Sequence, residues 1–316
     1  MRIYRDYRQV PVFAKGRVVA IGNFDGMHRG HKRVIEKLMA LAAEHDAKPA
    51  VMTFEPHPRR FFNPERPVIR LFTFKQKAQW LEELGIHTLF AQRFNLGFAS
   101  HTAEEFVREV LIDALGVSHV ITGEDFRFGK GRAGDAALLK TIAKETGAFD
   151  YHGILPVGEG EEKFSSSMVR EAVMQGDMEK AADILGRPYH WQGHVVKGDQ
   201  RGRTIGFPTA NIVPPSVVMP RFGVYAVRCQ RVGDNAVMDG VANLGVRPTF
   251  NKDRALLEVH LLDQQLDLYD QEMQVEFISH IRDEQRFDGV EALQSQIQKD
   301  SVTARQKLSE IRELSA

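Results

Sequence analysis

The order of strand-like and helix-like segments constrains the fold of this chain more than any other feature of its sequence. Up to about residue 186, short apolar runs of strand character alternate with segments of helical periodicity. The strand candidates cover residues 17–22, 48–55, 87–93, 118–124 and 149–156, and the helical segments lie near 34–42, 74–84, 102–115 and 134–146. Strands that alternate with helices in this way predict βαβ units and a doubly wound parallel sheet.

The pattern changes after residue 186. Short β-like runs then follow without helices between them, at residues 190–196, 206–212, 223–229, 236–244, 255–263 and 272–281. Such runs, separated by turn residues, predict a small antiparallel barrel or sandwich. The tail from Asp288 has the apolar spacing of a helix. Because 316 residues suffice for two cores at roughly 100–200 residues per domain, we expect one domain over 1–186 and a second over 187–316.

Composition excludes several classes of protein. Lys+Arg and Asp+Glu both number 42, so the chain lacks the basic excess that nucleic-acid and membrane-surface binders carry. The first residues have no signal-peptide core, and no apolar run reaches the ~18 residues of a membrane span. One cysteine excludes an internal disulfide and a thiolate zinc cluster. We therefore expect a cytoplasmic protein that binds small-molecule substrates, with no nucleic acid, membrane or obligatory protein partner.

The stretch GNFDGMHRGH (22–31) lies where the first strand candidate gives way to a helix. A helix N-terminus presents unpaired N–H groups and partial positive charge, which favour a bound phosphate. Gly26 and Gly30 permit a tight turn, and His28 and His31 can point to the same side of the first helical turn. Two imidazoles there can donate hydrogen bonds to phosphate oxygens during phosphoryl or nucleotidyl transfer. The alternative is an ordinary helix start with two solvated or packed histidines.

Four stretches of the first domain together resemble the motifs of one family. GNFDGMHRGH resembles the HxGH signature of the nucleotidyltransferase superfamily. TFEPHPRRFF (53–62), GEDFRFGKGRAGD (123–135) and FSSSMVR (164–170) resemble, in order, further motifs of the bacterial bifunctional riboflavin kinase/FMN adenylyltransferases, often called FAD synthetases. The resemblance covers nearly the whole chain. It implies a Rossmann-like nucleotidyltransferase domain over 1–186 and a riboflavin kinase domain over 187–316, the latter a six-stranded antiparallel β-barrel with a C-terminal helix.

The resemblance also implies which residues of the first domain form the site. The expected catalytic residues are His28, His31 and Arg170. The expected ATP-binding residues are Gly22, Asn23, Phe24, Asp25, Gly30, Ser166 and Ser167, and the expected flavin-binding residues are Pro56, His57, Pro58, Phe62, Asp125 and Phe128. Rigid apolar and aromatic groups suit the flat face of a flavin. Taken alone, the same residues fit a stiff loop, ordinary aromatic packing and serine N-caps.

The stretch GHVVKGDQRGRTIGFPTANI (193–212) carries the signal in the second domain. Its glycines recur every four residues from Gly198 to Gly206, which suits a loop that covers phosphates, although the ending of a Walker A motif is missing. Thr209 and Asn211 lie two residues apart, hence on one face of a strand, and both offer oxygen to Mg²⁺. The segment resembles the glycine-rich and Pro-Thr-Ala-Asn signatures of riboflavin kinases.

The resemblance assigns roles in this domain as well. It implies ATP binding by Gly198, Arg203 and Gly206, binding of Mg²⁺ or another divalent cation by Thr209 and Asn211, and a catalytic base at Glu258. A charged residue in an apolar strand usually faces solvent, so Glu258 by itself would carry little weight. The implied function is ATP-dependent phosphorylation of riboflavin to FMN, followed by adenylylation of FMN to FAD with release of pyrophosphate.

Two other functions remain possible from the residues. One is a different adenylyl- or cytidylyltransferase fused to an unrelated barrel, against which the stretch RTIGFPTAN argues. The other is a non-catalytic module that senses a flavin or nucleotide. The joint presence of two histidines, the Thr-Ala-Asn segment and the strand glutamate disfavours the sensor, because binding alone does not need all of them.

Overall fold

A computed structural model shows the chain as two compact units, Met1–Ser166 and Ser167–Ala316. The structure describes residues 1–159, 162–197, 205–247, 254–264 and 266–315. Gly198 and Arg203, two of the predicted ATP-binding residues, lie outside the described residues. The domain boundary at 186/187 stays a prediction.

One parallel sheet forms the centre of the first unit. Its strands are β1 Arg2–Tyr4, β2 Val18–Ile21, β3 Pro49–Glu55, β4 Thr88–Arg93, β5 His119–Gly123 and β6 Asp150–Ile154, in the order β1-β4-β3-β2-β5-β6. The α-helices are α1 Arg29–Glu44, α2 Pro58–Phe62, α3 Phe74–Glu83, α4 Leu96–Ala99, α5 Ala103–Glu105 and α6 Ala136–Thr146. The predicted doubly wound sheet is confirmed, and β1 is an additional edge strand that the sequence pattern does not predict.

Shorter elements complete this unit. A π-helix, Phe106–Ala114, continues α5, and 3₁₀ turns cover Tyr7–Gln9, Val12–Ala14 and Lys130–Arg132. Strands β7 Gly158–Glu159 and β8 Glu162–Lys163 form a two-stranded antiparallel hairpin.

Both faces of the sheet are buried, which explains why its strands read as continuous apolar runs. In β2, Val18 and Ala20 pack in the cluster that contains the buried side chains of α1. Val19 and Ile21 pack in the opposite cluster, with residues of the π-helix and α6. The strand order reverses at β2, which lies between β3 and β5. Ligands of open α/β sheets bind beyond the carboxyl ends of the strands at such a reversal, and residues 22–28 lie there.

A closed antiparallel barrel forms the second unit, together with three helices. Helix α7 Ser166–Gln175 begins at the last residue of the first unit and otherwise belongs to the second, as does α8 Met178–Leu185. The strands that follow are β9 Tyr189–Val196, β10 Ala210–Ile212, β11 Gly223–Arg231, β12 Val237–Arg247, β13 Arg254–Leu261 and β14 Glu272–Arg282. The barrel closes in the order β10-β13-β12-β11-β14-β9, and α9 Val290–Ser315 follows. The predicted six-stranded barrel with a C-terminal helix is confirmed.

Alternation along the strands separates the inner from the outer face of this barrel. Buried aromatic residues fill the inside, where Phe277 contacts Trp191 and Tyr225. Val224 and Ala226 lie on the outer face of β11 and pack in the cluster that includes Ala304 and Leu308 of α9. Among the described residues, no helix combines the length and apolar character required to cross a bilayer.

Candidate active sites

The loop between β2 and α1 contains an unusual concentration of left-handed backbone. Phe24 has φ 48°, Gly26 has φ 91° and Met27 has φ 47°. For a bulky side chain this conformation costs on the order of 1–3 kcal/mol, and it persists only where the surroundings enforce it. Such strain concentrates at active sites and ligand clamps. The loop therefore has the strained backbone that is typical of a binding site, and it lies beyond the carboxyl end of β2, where such sites form.

Two hydrogen bonds to Asp25 hold this loop in place. The buried Asp25 carboxylate accepts the backbone N–H of Leu71 at 3.0 Å, and the Ser166 hydroxyl donates to the Asp25 carbonyl oxygen at 2.7 Å. Asp25 and Ser166, both expected to bind ATP, therefore also fix the backbone of the loop. Their contact with ATP itself stays a prediction.

His28 and His31 lie on the same side of the first turn of α1, as their spacing predicts. Their rings stack with centroids 3.7 Å apart and an interplanar angle of 25°. Phe24 also contacts His31, with ring centroids 5.3 Å apart. A Cβ atom at Gly30 would lie only 3.1 Å from two ring atoms of His28. Gly30 therefore leaves the space that the histidine pair occupies.

The predicted flavin-binding residues after β3 form an exposed aromatic edge. His57 accepts the backbone N–H of Arg59 at 3.1 Å and so caps α2, whose first residue is Pro58. Phe62 is 65% exposed and contacts Phe94 edge-on, with ring centroids 5.7 Å apart. Pro56 is exposed at the start of the same segment. A flat, apolar ligand could cover this edge.

The predicted residues after β5 differ in accessibility. Asp125 is exposed, whereas Phe128 is only 6% exposed and packs against Phe106, with ring centroids 5.4 Å apart. Phe126 stacks on Phe128 and remains half-buried. Flavin binding by Phe128 stays a prediction, but its burial makes Phe126 the more accessible ring.

Helix α7 carries the remaining residues that were predicted for the nucleotidyl transfer. Ser166 and Arg170 are four residues apart and therefore share one side of this helix, while Ser167 is exposed. Arg170 is half-buried. Its role at the leaving phosphates stays a prediction.

In the second unit, Glu258 lies at the centre of a polar row that crosses three strands. It pairs with Asn211 of β10 on one side and with Asn243 of β12 on the other. Asn243 also pairs with Val224, which places the row on the outer face of the barrel. Its chain neighbours Leu257 and Val259 are buried on the opposite face. Asn243 was missed from sequence, because its proximity to Glu258 depends on strand register.

Asn211 has the features of a ligand to a hard cation. Its side chain is 4% exposed, and its Oδ1 atom accepts no hydrogen bond from the part of the chain that the structure describes. An unsatisfied buried carbonyl oxygen is costly unless something binds it. Mg²⁺ prefers such oxygen ligands, so the residues fit the expected cation. No group of three or more His, Cys, Asp or Glu side chains among the described residues offers an alternative metal site.

The segment before β10 borders an open cavity. Gly206 and Thr209 line a space of about 410 Å³, together with residues such as Asp267 and Tyr269. His260 supports this segment, because its Nδ1 atom lies 2.9 Å from the Pro208 carbonyl oxygen. The volume lies within the ~300–1,000 Å³ range of small-molecule pockets.

The fold defines a class of protein, in which a doubly wound α/β unit is followed by a closed six-stranded barrel. The family model described as FAD synthetase matches residues 11–168, and the one described as riboflavin kinase matches residues 185–308. The chain belongs to the bifunctional riboflavin kinase/FMN adenylyltransferase family.

Proteins of that description are similar to this chain over nearly their whole length. The Escherichia coli K12 protein is 41% identical over 292 residues, covering 92% of this chain and 93% of its own. The Bacillus subtilis protein is 38% identical over 301 residues, with 93% of each chain covered. A solved Streptococcus pneumoniae structure titled macrolide-efflux protein has a TM-score of 0.87 and 29% identity, covering 96% of this chain and 98% of its own. That title describes the other protein, whereas both halves of this chain match the enzyme family.

Proposed function

We propose that this chain makes FMN and then FAD as a transferase with two separate sites. In the barrel unit, ATP phosphorylates the 5′-hydroxyl of riboflavin. In the α/β unit, a second ATP adenylylates FMN and pyrophosphate is released. The observation that supports this most directly is the match of both family models to one chain, over ranges that contain the histidine pair and the Glu258 row.

The adenylyl transfer depends on alignment more than on a base. An oxygen of the FMN phosphate, already ionised near neutral pH, attacks the α-phosphorus of ATP. The bond from that phosphorus to the oxygen bridging to the β-phosphorus breaks, and pyrophosphate leaves with the electron pair. His28 and His31 would donate hydrogen bonds to the oxygens on which charge accumulates. Arg170 would bind the leaving phosphates with its planar guanidinium.

The phosphorylation of riboflavin needs a base, because a hydroxyl is a poor nucleophile until it loses its proton. Glu258 would accept that proton as the oxygen attacks the γ-phosphorus and ADP leaves. Asn211 and Asn243 flank the carboxylate on the neighbouring strands and can orient it. Thr209 and Asn211 would hold the divalent cation, which when bound offsets the negative charge of the phosphates.

The other expectations extend this proposal. Riboflavin, FMN and ATP are the substrates, and Mg²⁺ is the cation that we propose. Cytoplasmic localisation and the lack of nucleic-acid, membrane and obligatory protein partners stay predictions. The match of both family models disfavours a non-catalytic sensor, and turnover distinguishes an enzyme from a sensor.

The proposed function is tested by product analysis. The purified chain is incubated with riboflavin, ATP and Mg²⁺, and separately with FMN, ATP and Mg²⁺, and the flavins and pyrophosphate are quantified by chromatography. We expect FMN and FAD from the first mixture, and FAD with an equal amount of pyrophosphate from the second. Folded protein that binds flavin without turnover would establish the sensor instead. In His28→Ala, FAD formation should fall by about 10²–10³-fold while FMN formation continues.

A further inference from the structure

Lys77, on α3, is a buried charged residue to which the sequence motifs draw no attention. It is 6% exposed. Its Nζ atom donates to the Asn23 carbonyl oxygen at 2.9 Å, to the Thr53 hydroxyl at 3.3 Å and to Glu55 at 3.3 Å. An ammonium group has three N–H donors and no acceptor. All three are used within the protein, so Lys77 holds its surroundings and has no donor left for a substrate.

The Asn23 carbonyl is the point at which Lys77 acts on the strained loop. Its oxygen also accepts the Thr53 hydroxyl at 3.2 Å, so both of its lone pairs are occupied. The C=O and N–H of a trans peptide point in opposite directions. The two bonds therefore also fix the direction of the Phe24 N–H, at the start of the left-handed segment that leads to His28.

Lys77 reaches a second segment through Glu55. Glu55 is the last residue of β3 and directly precedes Pro56 and the predicted flavin-binding residues. Arg70 forms a further ion pair with the Glu55 carboxylate. Burial lowers the pKa of Lys77, and the carboxylates of Glu55 and Asp25 oppose that shift. One ammonium group thus joins the loop predicted to bind ATP to the segment predicted to bind FMN.

We propose that Lys77 is a positioning residue for FMN adenylylation, which holds the Asn23 carbonyl and the end of β3 in a fixed relation while touching neither substrate. The inference rests on the proposed function of this unit. It predicts that the loss of the bond to Asn23 impairs transfer by more than the loss of the ion pair does.

Lys77→Met tests this, because methionine keeps the apolar stem and removes all three donors. We expect kcat/KM for FMN adenylylation to fall by about 10²-fold, the effect of misplacing reacting groups by ~1 Å. Riboflavin phosphorylation, measured on the same preparation, should stay within about two-fold because it occurs in the other unit. Lys75→Met, at an exposed position on the same helix, should leave both rates unchanged.

Glu55→Gln separates positioning from stability. It removes the ion pair but leaves Lys77 bonded to Asn23. Because both variants remove the ion pair between Lys77 and Glu55, each should lower the urea midpoint of unfolding. All rates are corrected for the folded fraction. We expect Glu55→Gln to adenylylate FMN at least ten-fold faster than Lys77→Met.

Two results would overturn the inference: parental adenylylation in Lys77→Met, or equal losses in the two variants. Failure of the parent chain to adenylylate FMN would instead refute the proposed function of this unit.

Discussion

Gly30→Ala should perturb the histidine pair with little effect on folding. The added Cβ would lie 3.1 Å from the Cε1 and Nδ1 atoms of His28, whereas ordinary contact begins near 3.4 Å. The His28 ring must therefore move by about 0.3 Å, and it is buried against His31, with ring centroids 3.7 Å apart. Helix propensity favours Ala over Gly by up to about 1 kcal/mol, which offsets the strain. We expect the free energy of unfolding to change by less than about 1 kcal/mol.

The catalytic consequence follows from the displacement. If ~1 Å of misplacement costs about 10²-fold in rate, a shift of about 0.3 Å costs about four-fold. FAD formation from supplied FMN, measured by chromatography at saturating ATP, should show this loss while riboflavin phosphorylation stays at the parental rate. Gly97→Ala is the matched control, because its Cβ would meet Asn95 at an ordinary 3.5 Å. An undiminished rate of FAD formation in Gly30→Ala would show that the position of His28 does not limit the transfer.

Three further predictions concern Glu258, the adjacent histidines His119 of β5 and His152 of β6, and the helix that covers the barrel. Glu258→Gln keeps the shape of the side chain but cannot accept a proton. Kinase turnover should therefore fall by roughly 10²–10⁴-fold, while FAD synthesis from FMN persists. Kinase turnover at the parental rate would show that Glu258 is not the base. Burial, and then His45, lower the pKa of His119, whose Nδ1 atom lies 3.3 Å from Nε2 of His152. A lowered pKa means that the unfolded state binds a proton at a higher pH than the folded state does. The free energy of unfolding should therefore decrease as the pH falls below about 6.5. In urea titrations at several pH values, His119→Gln should lose less of this free energy with falling pH than the parent does. Asp300 accepts hydrogen bonds from Nε of Arg282 at 3.0 Å and from Nη2 at 2.7 Å. Asp300→Asn removes the charge of this ion pair, so it should cost about 1.5–3 kcal/mol of unfolding free energy. A loss below about 1 kcal/mol in urea denaturation would contradict this.

Local patterns in the sequence determined the architecture of both units. Alternation of apolar strands with helices predicts the parallel sheet, because both faces of such a sheet are buried and its connections need helices. Short strand-like runs without intervening helices predict an antiparallel barrel or sandwich, and the resemblance to riboflavin kinases selects the six-stranded barrel. The spacing of His28 and His31 likewise places them on one side of a helix, since side chains repeat every ~3.6 residues. Apart from that resemblance, these inferences need only the periods of the backbone.

Contacts between distant segments were decided by the tertiary structure alone. Asn243 comes beside Glu258 only through the register of β12 and β13, and the burial of Phe128 depends on its packing against Phe106. Lys77 reads in sequence as an ordinary helix lysine, yet it is buried because α3 places it beneath Asn23. Periodicity shows which face of an element is buried. It cannot show which atoms of another element meet that face, because those contacts depend on how the elements pack.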